Sequence, residues 1–396
     1  MTTLMAFDEA VRAVLERAQP LPAERVELGA ARGRVLSAPV RAAVDLPPFP
    51  ASAMDGYALR AAETPGTFPV VFRIAAGVPA PSALAVGEAM AIATGGAVPE
   101  GADAVVPIEL VREEDEVLAV PDAVEAGANV RPRGGDVGAG SEVVPAGVRL
   151  GAAQIGAIGA AGIGEVSCIR RPRVAIVTTG SELRPPDSQL GPGEIYESNG
   201  AMLAAQLEAA GADVSAPTVA RDDDDAHREA IERGLELDVL ITSGGVSVGP
   251  HDLVRRIERE LGVEEVFWGV AVKPGRPLSF GVRGTSFVFG LPGNPVSSLV
   301  ACAVFVVPVI GALQGIREPG PRFEWGRLAV DARRDRHRDV FLRSVADPGE
   351  EGVLLAPVQG QESHMITRAA GANALALIRR GEGTLPAGAA VEYLRL

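Results

Sequence analysis

The chain has 396 residues, of which 47% are hydrophobic and 22% charged, with a formal net charge of −14 and a pI near 4.9. This length exceeds one ordinary core and predicts two to four compact units; the composition is that of a soluble globular protein, and the acidity makes duplex nucleic acid, which needs a basic face, a poor candidate partner. Glycine (47) and proline (31) fill nearly a fifth of all positions, which predicts many turns and glycine-shaped loops.

The chain opens on MTTLMAFDEAVRAVLERA, an acidic amphipathic pattern that predicts a helix over about Phe7 to Ala18 rather than a signal peptide. Gln19–Pro22 ends it. From Glu24 to about Gly140 short alternating runs are cut by Pro and Gly, predicting a small irregular β domain whose loops look functional. Val143–Val166 is rich in Gly, Ala and Ile and is expected to pack on the first helix. At Arg171 the grammar changes. PRVAIVTTGSEL, VSAPTVARDD, DVLITSGG and SFVFGLPGNP read as strands alternating with helices, so a parallel sheet covered on both faces is expected. The apolar run Val300–Leu313 is interrupted by Pro308 and is too short for a membrane span, so it is expected to be a core helix. Beyond Glu318 short strands return and suggest a small barrel or sandwich. The resulting expectation is a multidomain α/β plus β protein. Residues 1–24 and 141–170 form a discontinuous helical unit, 25–140 an inserted irregular β domain, 171–317 a doubly wound α/β domain, and 318–396 a C-terminal β-barrel-like domain.

Three glycine-rich loops fall at strand ends of the α/β region: Thr178–Leu183, Ser243–Gly249 and Gly290–Pro295. Ligands of doubly wound sheets bind at such ends, and glycines let backbone N–H groups converge on an anion. None of the three matches the P-loop or dinucleotide fingerprints. Glu182, Asp222 and Asp252 fall along the same edge, and carboxylates beside phosphate call for an intervening Mg²⁺. A first-turn helix charge is an equally good reading of Asp252, and Asp223–Asp225 read better as a solvated run capping a helix. Among 37 cationic residues Lys273 is the single lysine, set with Arg276 in a VKPGRP turn expected over the same sheet edge. His227 is placed in a solvated helix start, His337 in an arginine-rich turn, and His251 and His364 in loops, with no zinc spacing among them. No Ser-His-Asp grouping appears. Cys168 and Cys302 read as buried free thiols of a reducing cytosol.

Taken together, SAMDGYA (Ser52–Ala58), TGGAVPEGADAVV (Thr94–Val106), RPRGGD (Arg131–Asp136), TTGSEL, SGGVSVG followed by PHD, KPGRP and GLPGNPVS resemble, in this order, the molybdopterin molybdenumtransferases. That family includes bacterial MoeA proteins and the E domain of gephyrin, and the resemblance runs from the first helix to ANALALI near the end. It implies insertion of molybdate into adenylylated molybdopterin, with Mg²⁺-assisted pyrophosphate cleavage and AMP release, in a cytoplasmic homodimer with shared sites. Carried over by motif, Asp222 and Asp252 hold Mg²⁺. Ser243, Gly244, Gly245, Ser247, Pro292, Gly293 and Pro295 cradle the ligand, and Lys273, Arg276, Arg343 and Ser363 bind molybdate or its leaving oxygen. Asp55, Thr94 and Asp136 enter from the partner chain, and Glu182 lines the cleft. Arg276 stands where lysine is frequent, and Pro250–His251 precede Asp252 where many relatives carry an acid.

Two other readings share these loops. A molybdopterin adenylyltransferase has the α/β segment but lacks the first 140 residues and the last 75 or so, and a non-catalytic scaffold would not need the ionisable groups at the strand ends. Expected partners are a molybdopterin adenylyltransferase and recipient molybdoenzymes; nucleic acid and membrane are not expected.

Overall fold

The structure, a computed structural model, describes residues 4–221, 223–245, 253–350 and 352–396. The chain divides into two compact units: Met1–Glu24, Gly33–Ser37 and Cys168–Leu396 make the first, Arg25–Arg32 and Ala38–Ser167 the second.

Among the described residues, the first unit contains a seven-stranded sheet. Its strands are β1 (Arg173–Thr179), β2 (Asp213–Val214), β3 (Thr218–Ala220), β4 (Val239–Ser243), β5 (Glu264–Trp268), β6 (Ser279–Arg283) and β7 (Ser286–Leu291). The spatial order is β2-β1-β4-β7-β6-β5, with β3 also paired to β1. The first four and β7 run parallel, whereas β6 runs against them, pairing antiparallel with both β7 and β5. That departure from an all-parallel sheet has a local cause. Only Gly284 and Thr285 separate β6 from β7, with Gly284 at φ +58°, and a turn that short can only return the chain antiparallel.

Strands buried on both faces read as unbroken apolar runs, and β1 shows why. Val174 and Ile176 pack into one core with Phe287, Phe289 and Leu291, while Ala175 and Val177 pack into another with Leu240 and Val288. Helix α1 (Phe7–Leu15) and helix α2 (Asn199–Ala209) cover the first face through Phe7, Val14, Leu203 and Leu207. Helices α3 (Asp224–Gly234) and α4 (Leu253–Glu260) cover the second through Ile231, Val254 and Ile257. As expected, Asp223 caps α3, its carboxylate accepting the Ala226 N–H at 2.7 Å. The expected solvated His227 is instead 1% exposed. It falls on the inward stripe with Ala230, Ile231 and Gly234, and its Nδ1 lies 2.9 Å from the Asp223 carbonyl.

The run from Pro295 to Leu313 is long and apolar enough to cross a membrane by composition, but 89% of it is buried in the unit's core. Pro308 does not break it. A π-helical turn, Cys302–Val306, precedes the proline, and wider turns of this kind absorb a missing N–H donor. Cys302 lies inside it and Cys168 elsewhere in the same unit, both buried free thiols, and burial pushes each thiol's pKa up.

The C-terminal strands close on themselves. Asp339–Gly349 pairs with both Gly352–Pro357 and Ala374–Ile378, completing a barrel with Phe323–Leu328 and Ala390–Arg395. In ALALI the alternation is again two-sided: Ala374, Ala376 and Ile378 face the barrel interior, Leu375 and Leu377 the α1 side. The short strand Val272–Lys273 joins this barrel, pairing with Asp339 and Val340, rather than the α/β sheet.

The second unit holds a mostly antiparallel six-stranded sheet in which Gly56–Leu59 lies between Ala104–Pro107 and Ala89–Ile92. Here Gly56 is a close-approach glycine, because a Cβ would sit 1.9 Å from the Val106 carbonyl oxygen.

Candidate active site

Strand order reverses around β1. The chain leaves β1 for β2 and β3 on one side, then crosses by α3 to β4 on the other. The crevice beyond the carboxyl ends of β1 and β4 is therefore the expected ligand position. A cavity of about 630 Å³ opens there, walled by Thr178, Thr179, Glu182, Ser243, Gly244, Gly245 and Pro292–Pro295. The described parts of the three glycine-rich loops, Ser243–Gly245 of the second, thus converge on one space.

Backbone, more than side chains, builds the floor. Gly244 has φ +98°, and a Cβ there would stand 2.7 Å from both the carbonyl and hydroxyl oxygens of Thr179. Gly293 lies against it, where a Cβ would make only an ordinary 3.6 Å contact with the Gly244 Cα. Such contacts leave peptide groups uncovered for a ligand. Ser243 is buried, and its Oγ accepts a 3.0 Å bond from Asn199 Nδ2, which also donates to the Gly293 carbonyl at 2.8 Å. Asn199, the first residue of α2, therefore ties two loops together. Thr178 Oγ1 is buried in the same wall without a hydrogen-bond partner among the described residues, an arrangement that normally costs stability unless a ligand or water completes it. Asn199 carries no signal of this role in the sequence, where it resembles an ordinary helix-start residue, whereas Thr178 opens one of the predicted loops.

A second cavity of about 610 Å³ adjoins the first, sharing Pro277, Pro292, Asn294 and His364. Lys273, Arg276, Arg338 and Ser363 line it. Neither Lys273 nor Arg276 forms an ion pair with any described residue. Asn294 Nδ2 donates to Ser363 Oγ at 3.0 Å, and the Val296 N–H donates to the Ser363 carbonyl at 3.1 Å. The GLPGNP loop is thereby stitched to the barrel loop that carries Ser363.

Arg343 does not line this cavity. It is 1% exposed, and it donates to the carbonyls of Gly360 (2.7 Å), Met365 (3.0 Å) and Glu362 (3.4 Å). Burial lowers its pKa, with Glu362 opposing the shift. Gln361 completes the clamp, accepting the Arg343 N–H and donating to the Arg343 carbonyl. The direct contact expected of Arg343 is replaced by a grip on the segment bearing Ser363, because residue 343 lies on a barrel strand covered by that segment.

In the second unit, Asp55 and Thr94 are brought together. Asp55 Oδ1 accepts the Thr94 N–H at 2.6 Å and its hydroxyl at 2.9 Å, and these bonds hold the carboxyl below its ordinary range. Asp136 is exposed in its own loop, with its N–H bonded to the Leu46 carbonyl. Asp222, Ser247 and Asp252 lie outside the described residues. Among the described residues no three His, Cys, Asp or Glu side chains gather as a metal cage.

Three family models tile the chain: MoeA N-terminal region (domain I and II) over residues 5–162, probable molybdopterin binding domain over 175–312, and MoeA C-terminal region (domain IV) over 326–396. The chain is 37% identical over 360 residues to molybdopterin molybdenumtransferase 2 of Mycobacterium tuberculosis, covering 87% of this chain and 88% of that one. It is 35% identical over 386 residues to molybdopterin molybdenumtransferase of Nostoc sp., covering 94% and 88%. The crystal structure of a molybdopterin biosynthesis MoeA protein from Pyrococcus horikoshii OT3 superposes with a TM-score of 0.85 at 27% identity, covering 100% of both chains. Together with the glycine cradle and the adjoining cationic cavity, these matches show that the chain belongs to the molybdopterin molybdenumtransferase family.

Proposed function

We propose that the chain inserts molybdate into adenylylated molybdopterin, releasing AMP, and that the two adjoining cavities divide the work. The observation that carries this reading is their shared wall: a backbone-lined cradle suited to phosphates abuts a cavity in which Lys273 and Arg276 have no carboxylate partner among the described residues. The glycine loops after β1, β4 and β7 hold the phosphates and pterin of one substrate. Lys273 and Arg276 hold molybdate, the other substrate, where the dithiolene can reach it. Fixed donors aimed at developing charge stabilise a transition state most when they need no reorganisation, and the Asn199, Asn294 and Arg343 bonds supply that rigidity here.

Glu182 stands in the cradle wall, so phosphate binding there favours an intervening cation. Asp222 and Asp252 are the residues that would hold Mg²⁺, which when bound would neutralise the pyrophosphate for cleavage. Asp55 and Thr94, fixed to one another, and Asp136 would complete the site of a partner chain in a homodimer. Mixing Asp55→Ala protein with Asp252→Ala protein, each inactive alone, should then restore part of the activity; no recovery would remove the shared-site reading.

The deciding experiment supplies purified protein with adenylylated molybdopterin and molybdate. AMP release that depends on molybdate supports the proposal. Pyrophosphate made from ATP and molybdopterin, with no molybdate-dependent AMP, would assign the chain to adenylyl transfer instead.

A further inference from the structure

A third cavity, of about 770 Å³, opens on the other side of Lys273, and the reaction described above does not use it. It lies between the turn 330–337 and the segment 381–384, and Lys273, Val340, Leu342 and Gln361 line both it and the Lys273–Arg276 cavity. In a chain of net charge −14, four arginines and a histidine fall within residues 333–338.

The turn is built rather than loose. Asp335 Oδ1 accepts the N–H groups of His337 (2.9 Å) and Arg338 (3.1 Å), and Oδ2 binds Arg338 Nη2 at 2.7 Å. Arg334 donates to the carbonyls of Arg379 (3.1 Å) and Arg380 (2.8 Å). Its guanidinium lies so close to Gly381 that a Cβ there would stand 2.5 Å from Cζ. The Gly381 N–H donates to the Asp335 carbonyl at 2.8 Å, which closes the turn onto the opposite wall.

Each acid in the wall already has a partner. Asp335 is bound by Arg338, Asp331 accepts the Ala387 N–H at 2.8 Å, and Glu382 meets Arg336 at 3.5 Å in a pair more than two-thirds exposed on each side. An exposed pair of that kind is weak and exchanges readily for a better anion. Arg333 has no carboxylate partner among the described residues. His337 is the one aromatic ring in the wall, and no Phe, Tyr or Trp lines it, so charge outweighs stacking surface there. Point charges and guanidinium forks suit a small, compact anion.

We infer that this third cavity is a loading site for an inorganic tetrahedral oxyanion, which Arg333 and Arg336 capture from solution and Lys273 receives across the shared wall. The inference rests on the reading of molybdate as the substrate held by Lys273. Local positive potential on an otherwise acidic surface raises the capture rate of an anion, and the exposure of the arginines keeps the binding weak enough to release it inward.

The test uses the full-length protein and molybdate itself. Equilibrium dialysis should find about one more molybdate bound per chain in the wild type than in the Arg333→Ala/Arg336→Ala double variant, with sulfate competing for the difference. In turnover, the double variant should show a KM for molybdate raised about tenfold, with kcat at saturating molybdate and the KM for adenylylated molybdopterin unchanged. Removing Arg233 and Arg259, two exposed helix arginines outside this cavity, should change neither. Equal molybdate binding by wild type and double variant, or a KM shift no larger than that of the Arg233/Arg259 control, would overturn the loading site. Dialysis needs no turnover, so it decides this point even if the proposed reaction fails. Arg333→Ala alone should give an intermediate effect if the two arginines share one anion; the full effect from either alone, with none from the other, counts against it.

Discussion

The two adjoining cavities of the first unit are made by opposite means. At the ends of β1, β4 and β7 the walls are largely peptide backbone, shaped above all by Gly244, where the Thr179 oxygens leave no room for a Cβ. Beside the barrel the walls are long side chains: an ammonium, guanidinium groups, and a loop clamped by a buried arginine. A backbone cradle is fixed once the sheet forms and offers its N–H groups at set positions. A side-chain cavity is tuned by charge and depends on the residues that hold its loops. The two should therefore fail differently when they are altered.

The largest separation is expected at Lys273. Lys273→Ala should lower molybdate-dependent turnover on the order of 10²–10³-fold while leaving retention of adenylylated molybdopterin intact, and Lys273→Arg should lose less, since the charge survives with altered geometry. Because the chain has no other lysine, acetylation reaches only this side chain and the N-terminal amine. Wild-type rates in both the alanine variant and acetylated protein would move molybdate binding to the arginines. In the cradle, Gly244→Ala should cost about a hundredfold in turnover by a different route, with adenylylated molybdopterin itself no longer retained. Its added methyl meets Thr179 at 2.7 Å in a left-handed conformation, a strain on the order of 1–3 kcal/mol. If Gly244→Ala retained that substrate at wild-type affinity, the backbone would not be the cradle.

A subtler contrast concerns Arg343. Were it a charge presented to molybdate, Arg343→Lys would keep most of the activity and Arg343→Gln little. As a clamp on three carbonyls it should be poorly replaced by either, with turnover down about tenfold and faster amide exchange across Gly360–Met365. Gln361→Ala, which loosens the same clamp from its other half, should reproduce the exchange change in a milder form. Retained activity in the lysine variant with unchanged exchange would restore Arg343 to a direct role.

The same division explains what could be read beforehand. Glycine-rich strand ends are legible because alternating apolar strands announce a sheet and its ligand edge follows from topology. TTGSEL, SGG and GLPGNP accordingly converge as expected. Side-chain placement is less legible where it depends on which surface covers a residue. Arg343 reads as a ligand until the loop over its strand is seen to bury it, and His227 reads as solvated until helix phase turns it inward. Lys273 follows an apolar run expected to serve the α/β sheet, yet its two-residue strand pairs with the barrel. Asn199 gives no signal in the sequence, because a polar residue opening a helix ordinarily caps it, whereas here its side chain bridges Ser243 and Gly293.

The smallest effect tests whether the side-chain cavities really rest on charge. The Arg338 guanidinium, with help from the His337 N–H, holds the Asp335 carboxyl at about 2, below its ordinary 3.8. A carboxyl lowered in the folded state contributes stability that is fully present above its unfolded value and is lost as pH falls through the folded one. Asp335→Asn should therefore lower the Tm at neutral pH, and the gap to wild type should stay constant down to about pH 4 and close between there and about pH 2. The pair is a third and a fifth exposed on its two sides, so solvent screening keeps the shift to about 1–2 °C, smaller still in high salt. Gly244→Ala supplies the contrast, because its strain is steric and no proton enters it. Its Tm gap should not follow pH over the same range. Thermal denaturation of both variants beside wild type from neutral pH downward reads the two behaviours together, and a pH-independent gap for Asp335→Asn would mean that the turn is held by its backbone bonds rather than by the Arg338 charge.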